Sequence, residues 1–470
     1  MYTRDVYQLQ NEKLINYIMI MREPIILIVP GMVTNLNKYK LINFSDNAKD
    51  LPSEASHIIN SLPNASKEFI HWFIGFVDAL GCFSIHPNRT WTAVGFSFTI
   101  NLHYDDIEIL QKIAKTLGIG KVKLVNNRNS AVFIVNNLND IIKIILPIFE
   151  EFPLQTSKNL DFICFSKAAQ IKFNSRDTGL KIKISKRDLT TIQKLRASMN
   201  AGRVKLKVTQ LYKLTNQVSI NMWWLMGFVE GEGTFGYKHL VPYFQIAQHK
   251  KNLFVLKAIE SFLSKLPIQN TEGNQEFNVH YALNTKTDVY SMSVVSIDTL
   301  FSYIIPCFMS MSFNTRKSLD FKYWVISLIM HKFGYYYLPE GKKLALQISS
   351  GTNKFRYTNT GNNIELPSDD SISKLLALQS PFDISRGLTH FELVREFTIN
   401  KGGRKGFTVY IYDCETEGGK ELTGSPFSTY GSGHVAIGLK AGSRVIGRYI
   451  DTGKAYKGKY IFSSVPYQKM

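Results

Sequence analysis

The feature that most constrains this chain is a stretch that occurs twice. HWFIGFVDALGCFSI fills residues 71–85 and MWWLMGFVEGEGTFGY fills residues 222–237. Each reads as an apolar helix that ends at a Gly-flanked polar step and continues into a strand. Gly75 and Ala79 in the first copy, and Gly227 and Gly231 in the second, are four residues apart and share one helical face. Small residues at that spacing let two backbones approach closely, so the simplest packing sets copy one against copy two. Asp78, Glu230 and Glu232 stand at the helix ends beside that seam. Carboxylates brought together there would suit a hard divalent cation. Either copy alone reads better as a buried helix with a capping acid. Two copies in matching surroundings favour the site.

Those surroundings repeat as well. After the first motif, residues 91–103 alternate around Phe96, Phe98 and Ile100 and predict a strand. Residues 105–117 predict an amphipathic helix with Ile107, Leu110, Ile113, Ala114 and Leu117 inward. Residues 120–125 and 130–136 predict a hairpin, and residues 138–149 a helix. The second copy offers a strand at 243–249, a helix at 252–263 and a later apolar run at 293–308. SKNLDF starts at Ser157 and RKSLDF at Arg316, 159 residues later, while Gly75 and Gly227 are 152 apart. An internal duplication of roughly 100 residues follows, with local insertions. Helix, strands, helix, strands, used twice, is an α+β arrangement.

Charge narrows the partner. Lys and Arg number 56 against 37 Asp and Glu, a formal net charge of +19. That exceeds what solubility asks for and points to a polyanion, most simply nucleic acid. An anionic membrane would satisfy the charge equally. No run of 18 or more apolar residues exists, however, and residues 25–32 are too short and hold Pro30. Residues near the start, with Asp5 and Glu12, lack the pattern of a cleaved signal or an Arg-rich transit peptide. Cys82, Cys164, Cys307 and Cys414 form no CxxC pair, which excludes a disulfide framework and a thiolate zinc site and suits an intracellular protein.

The remaining segments divide by composition. Residues 1–65 are a leader without sustained periodicity. Residues 66–172 hold repeat 1 and 220–335 repeat 2. Between them, 173–219 is a basic linker that includes Lys181, Lys183, Arg203, Lys205 and Lys207. Ser185 with Asp188 predicts a cap for a helix ending near residues 200–202. That linker reads equally as solvated chain or as a tether across DNA phosphates. Residues 336–405 read as a second linker, rich in Ser, Thr, Asn and Gly. In residues 406–466 a strand is expected at 407–412, then a helix-turn-helix pattern with a short helix at 433–440 and a second helix at 443–451 with Ser443 as N-cap. Gly438 would weaken the first of these helices by about 1 kcal/mol relative to Ala. Arg444 and Arg448, four apart, would share a face able to reach bases or phosphates. A small α/β module with solvated arginines is the plain alternative.

Both motifs, with the terminal K-x-L-D-F after each, resemble the LAGLIDADG family of homing endonucleases and intron maturases in its two-motif single-chain form. The resemblance covers residues 68–324. It implies tandem pseudo-symmetric αββαββα repeats that pack through their motif helices, lay strands into the DNA major groove and share divalent metal. Carried over, Glu232 matches the metal-binding acid and Gln248 a glutamine that positions the hydrolytic water. Lys317, and less closely Lys158, match a basic residue near the scissile phosphates. The implied cofactor is Mg2+ (or Mn2+), and the implied partner is a double-stranded DNA target bound by a monomer. The family's setting implies a mitochondrial, intron-encoded protein, with the intron RNA as an alternative partner.

Copy one departs from the pattern. Leu80 stands where copy two has Glu232, and Leu102 where it has Gln248. A leucine cannot ligate a metal. Asp78, the remaining acid, lies about 200° around the helix from Leu80 and suits bracing better than ligation. Three readings stay open: a nicking enzyme, an inactive DNA-binding protein and a splicing cofactor. The C-terminal residues 443–462 resemble the modular NUMOD-type DNA-binding repeat, which implies DNA contacts from Lys440, Arg444, Arg448, Lys454, Lys457 and Lys459.

Overall fold

A computed structural model describes residues 62, 64–125, 128–175, 184–200, 218–266, 277–353, 365–400, 409–416, 419–464 and 466. Almost all of the leader lies outside these residues, as do Lys181, Lys183, Arg203, Lys205, Lys207 and the start of the strand expected at 407–412. The chain divides into two compact units, residues 1–387 and 388–470.

The first unit is α+β, and its two halves follow one plan. Repeat 1 opens with α1 (Lys67–Leu80), capped by the Ser66 side chain, and turns directly into β1 (Gly81–Pro87). It continues through β2 (Val94–His103), α2 (Ile107–Leu117), β3 (Lys121–Val125) and β4 (Ser130–Val135). A helical run follows through Leu138–Asp140, Ile141–Ile145 and Leu146–Glu151, and α3 (Lys158–Asn174) closes the unit. Repeat 2 matches it with α4 (Met222–Glu232), β5 (Gly233–Lys238), β6 (Val241–His249), α5 (Leu253–Ser264), β7 (His280–Asn284), β8 (Val289–Val294) and α6 (Lys317–Lys332). The sheets are antiparallel with orders β1-β2-β4-β3 and β5-β6-β8-β7. Even an irregularity recurs. A π-helical turn at Ile141–Ile145 precedes Pro147, and one at Leu300–Ile304 precedes Pro306. Proline lacks the N–H that a regular helix would use there, and the wider turn absorbs the loss.

The seam explains the small residues. A Cβ on Gly75 would collide with the carbonyl of Trp224, and one on Gly227 with the carbonyl of Trp72. The helices therefore touch backbone to backbone, and Gly231 meets Ala79 further along. Phe73, Phe76, Phe228 and Leu225 are fully buried around this contact.

The expected linkers are partly folded. In 173–219, α7 (Lys186–Ala197) starts at Ser185, whose Oγ accepts from Asp188 N at 3.0 Å, and packs with Ile192 fully buried. In 336–405, Pro339–Gly351 and Asp369–Leu376 form helices. The two additions match. Asn200 N donates to Asp161 Oδ1 at 2.7 Å, and Asn353 N donates to Asp320 Oδ1 at 2.8 Å. Both asparagines have positive φ, 51° and 60°, as suits a residue ending a helix. Each acid belongs to its repeat's K-x-L-D-F segment, so the duplicated plan extends one helix further than its strongest sequence match.

The second unit contains a helix at His390–Asn400 and a three-stranded sheet of Tyr410–Asp413, Lys420–Glu421 and Tyr460–Ser463. Among the described residues its other helices lie at Tyr430–Ala436 and Val445–Tyr449 and are shorter than expected. The first begins early because Thr429 and Ser432 form a reciprocal cap, and Gly438 lies beyond its end with φ +77°. Ser443 stands one residue before the N-cap position held by Arg444, although its Oγ accepts from Val445 N at 3.3 Å.

Candidate active site

Each motif helix ends on the residue that matters. Leu80 and Glu232 are the last helical residues, because Gly81 and Gly233 take up extended backbone and start the strands. The side chains at these ends therefore sit at the seam, above the sheets.

In repeat 2, Glu232 is hydrogen-bonded by the Gln248 side chain from β6. Burial raises its pKa, opposed first by Lys158, then by that hydrogen bond and by Lys317. Lys158 comes from repeat 1 and Lys317 from repeat 2. Lys158 Nζ donates to Val77 O at 2.8 Å and Ala79 O at 3.3 Å, while Lys317 Nζ donates to Val229 O at 3.0 Å and to Gly233 O. Each ammonium thus covers carbonyls at the C-terminal end of its own motif helix, where partial negative charge gathers. Burial pushes Lys158 down to about 8, against the pull of Asp78 and Glu232. Of the two lysines, Lys158 of repeat 1 opposes the rise in the Glu232 pKa more than Lys317 does.

Asp78 is not a ligand in waiting. Its Oδ2 accepts from Gln155 N at 2.8 Å and from Trp224 Nε1 at 2.9 Å. Its Oδ1 accepts from Thr156 N at 3.0 Å and Thr156 Oγ1 at 2.6 Å. All four lone-pair directions are engaged, and the residue is 3% exposed. Of the two roles the sequence offers Asp78, metal ligand and brace, these four bonds support the brace. Glu230 is its counterpart: Oε1 accepts from Trp72 Nε1 at 3.3 Å and Asn314 N at 2.7 Å. Each helix's tryptophan grips the other helix's acid. Nothing in the sequence paired these residues except their matching positions in the two copies.

Repeat 1 has the same geometry with different side chains. Gly81 pairs with Ile100 and Gly233 with Ile246, so register sets Leu102 where repeat 2 has Gln248. Leu80 and Leu102 line a cleft of about 460 Å³ with His103, Asp106, Glu230 and Lys317. Asp105 beside it pairs with Arg316 at 2.9 Å. Among the described residues, no group of three or more His, Cys, Asp or Glu is arranged to hold a metal ion.

In the second unit, Lys440, Arg444, Arg448, Lys454 and Lys457 are exposed. Arg444 precedes the second helix rather than lying within it. Lys459 is engaged with Glu415 and, at 3.8 Å, with Asp413, so its charge is largely offset within the unit.

Comparison with known proteins agrees with this architecture. A family model described as LAGLIDADG endonuclease matches residues 73–169 and again 225–328. An uncharacterized mitochondrial protein, RF1 of Saccharomyces cerevisiae, is 23% identical over 98% of this chain and 92% of its own length. A probable intron-encoded endonuclease, Cox1-I1b of Schizosaccharomyces pombe, is 28% identical over 55% of this chain and 64% of its own, just under two thirds. Among solved structures, the LAGLIDADG homing endonuclease I-GzeII in complex with its DNA target is 25% identical, with a TM-score of 0.51 over 61% of this chain and 99% of that one. The doubled match falls on the two halves joined at the glycine seam, and through them this chain belongs to the LAGLIDADG endonuclease family.

Proposed function

We propose that the chain is a site-specific DNA endonuclease of the homing type that cuts one strand through its repeat 2 site. The observation that carries this is the asymmetry at the two helix ends: Glu232 with Gln248 and Lys158 on one side, Leu80 with Leu102 on the other. Its relatives are mitochondrial or intron-encoded fungal proteins, which supports a mitochondrial intron as its origin. Because the intron-encoded relative is named as an endonuclease, cleavage is preferred to an RNA-binding maturase role.

The residues present fit a hard divalent ion, Mg2+ or Mn2+, only in company. Glu232 offers one oxygen-donor carboxylate, and a DNA phosphate and water would complete the shell. A metal bound there would stabilise charge on the phosphodiester oxygens. Gln248 holds the carboxylate in place. Lys158, fixed on two carbonyls, puts a positive charge where phosphate negative charge develops. Duplex DNA would lie across the two sheets, with the internal pseudo-twofold axis serving both strands of one monomer's target. Lys440, Arg444, Arg448, Lys454 and Lys457 would extend contact to phosphates.

The test is incubation with a supercoiled plasmid carrying the intronless host-gene site, with and without Mg2+, beside Glu232→Gln. Nicked circle that needs metal and falls at least about 1,000-fold in the variant is expected. Linear product would show that repeat 1 finds its own acid. Binding without any cut form would sink the endonuclease reading.

A further inference from the structure

Gln248 can serve Glu232 only if its amide faces the right way. An amide presents an oxygen at one corner and an NH2 at the other, and only the NH2 can satisfy a carboxylate. Neighbouring groups must decide which corner points where. A chain of hydrogen bonds in this molecule does so. Ser157 N, at the start of α3 in repeat 1, donates to Asn252 Oδ1 at 3.0 Å. A backbone N–H can only donate, so the Asn252 oxygen is fixed and its Nδ2 faces away. Asn252 Nδ2 then donates to Gln248 Oε1 at 2.8 Å. With its oxygen engaged, Gln248 has only its NH2 left for Glu232, to which it is bonded.

The opposite half shows what happens without the relay. Arg316 N donates to Asp106 Oδ1 at 2.7 Å, the same backbone contact at the same position. Asp106 has no proton to pass on, the next position is Leu102, and the last is Leu80. Three successive links have changed while the backbone link that starts them remains.

We propose that Asn252 is a positioning residue for cleavage: held by the Ser157 N–H of repeat 1, it turns the Gln248 NH2 onto Glu232 of repeat 2. The inference rests on the endonuclease reading. It also makes one active site depend on both repeats, because the donor that sets its polarity comes from across the seam. Asn252 is 6% exposed, so binding and chemistry should separate.

The experiment is Asn252→Asp in the full chain. Aspartate keeps an acceptor for Ser157 N and replaces the donor with a second, negatively charged oxygen, and Asp106 shows that this fold holds an aspartate in the equivalent position. The expected result is single-turnover nicking slowed by about 100-fold with target affinity within about twofold of wild type, as for a misplaced catalytic group. In the metal-free protein the side-chain NH2 resonances of Gln248 should move as its partners exchange. A wild type that does not nick would remove the endonuclease reading, whereas a nicking wild type and an equally fast variant with unmoved resonances would overturn the relay. A gain-of-function pair guards against misfolding. Leu80→Glu with Leu102→Gln is compared with the same pair plus Asp106→Asn. Second-strand cutting at least about tenfold faster in the triple variant supports the relay, and equal rates in the two, zero included, overturn it.

Discussion

In repeat 1 the motif helix ends at Leu80 beside Leu102; in repeat 2 the same two positions hold Glu232 and Gln248. Around them almost nothing else differs in plan. Both helices carry a tryptophan that bonds the opposite acid, both lysines cover helix-end carbonyls, and both closing segments receive an asparagine N–H. The difference teaches that scaffold and chemistry answer to separate demands. The seam needs both halves, because each helix supplies the surface the other buries. The proposed single-strand cut would need only one intact end.

That comparison can be pressed hardest at the two braces. Asp78→Asn would turn an NH2 toward donors that now share one carboxylate oxygen, in a buried site. A loss of about 3 kcal/mol is expected by chemical denaturation, which tests whether Asp78 is a brace. Retained stability with lost metal dependence would return it to the role of ligand.

The lysines come next. Lys158→Met should slow nicking about 30-fold, or about 2 kcal/mol, while Lys317→Met should slow it less, because Lys158 acts more strongly on Glu232. Equal losses in single-turnover rate would mean that the two ammonium groups share one site.

The smallest effect expected is a gain. Burial pushes the Glu230 carboxyl from its ordinary 4.5 up to about 7. A carboxyl raised by folding stabilises the fold while protonated, fully so below 4.5, and this contribution is lost as pH rises through about 7. Glu230→Gln keeps an oxygen for Trp72 Nε1 and Asn314 N and removes the buried charge. It should raise stability by about 2 kcal/mol at pH 8 and by little at pH 4.5, read from thermal unfolding at both. The same amide replacement should thus destabilise repeat 1 at Asp78 and stabilise repeat 2 at Glu230, since one acid is bonded on both oxygens and the other chiefly on Oε1. Losses of equal sign would break the contrast.

Much of this was legible before any coordinates. Helix-spaced small residues at Gly75, Ala79, Gly227 and Gly231 specify a close helix contact, because glycine at that spacing admits another backbone whatever surrounds it. The duplication and the alternating strands follow from sequence pattern alone, and Leu80 against Glu232 follows from matching the two copies under the family resemblance. The helix after Ser185 was expected from its cap, whereas its packing and the helices in 336–405 were less visible. Lys186–Ala197 is mostly exposed and strongly basic, so little apolar periodicity marks it as packed. The first short C-terminal helix begins early, at an N-terminal cap of Thr429 and Ser432 that pattern reading passed over.

What the sequence determined by itself was the material of the two halves and where they differ, since periodicity and residue type are local properties. Tertiary structure alone decided which group each side chain meets. Asp78 became a brace because Trp224 and Thr156 reach it from elsewhere in the fold, and Lys158 of repeat 1 acts on Glu232 of repeat 2 because the two halves pack together. Hydrogen-bond polarity and charge depend on distances between groups far apart in the chain, and only packing sets those distances.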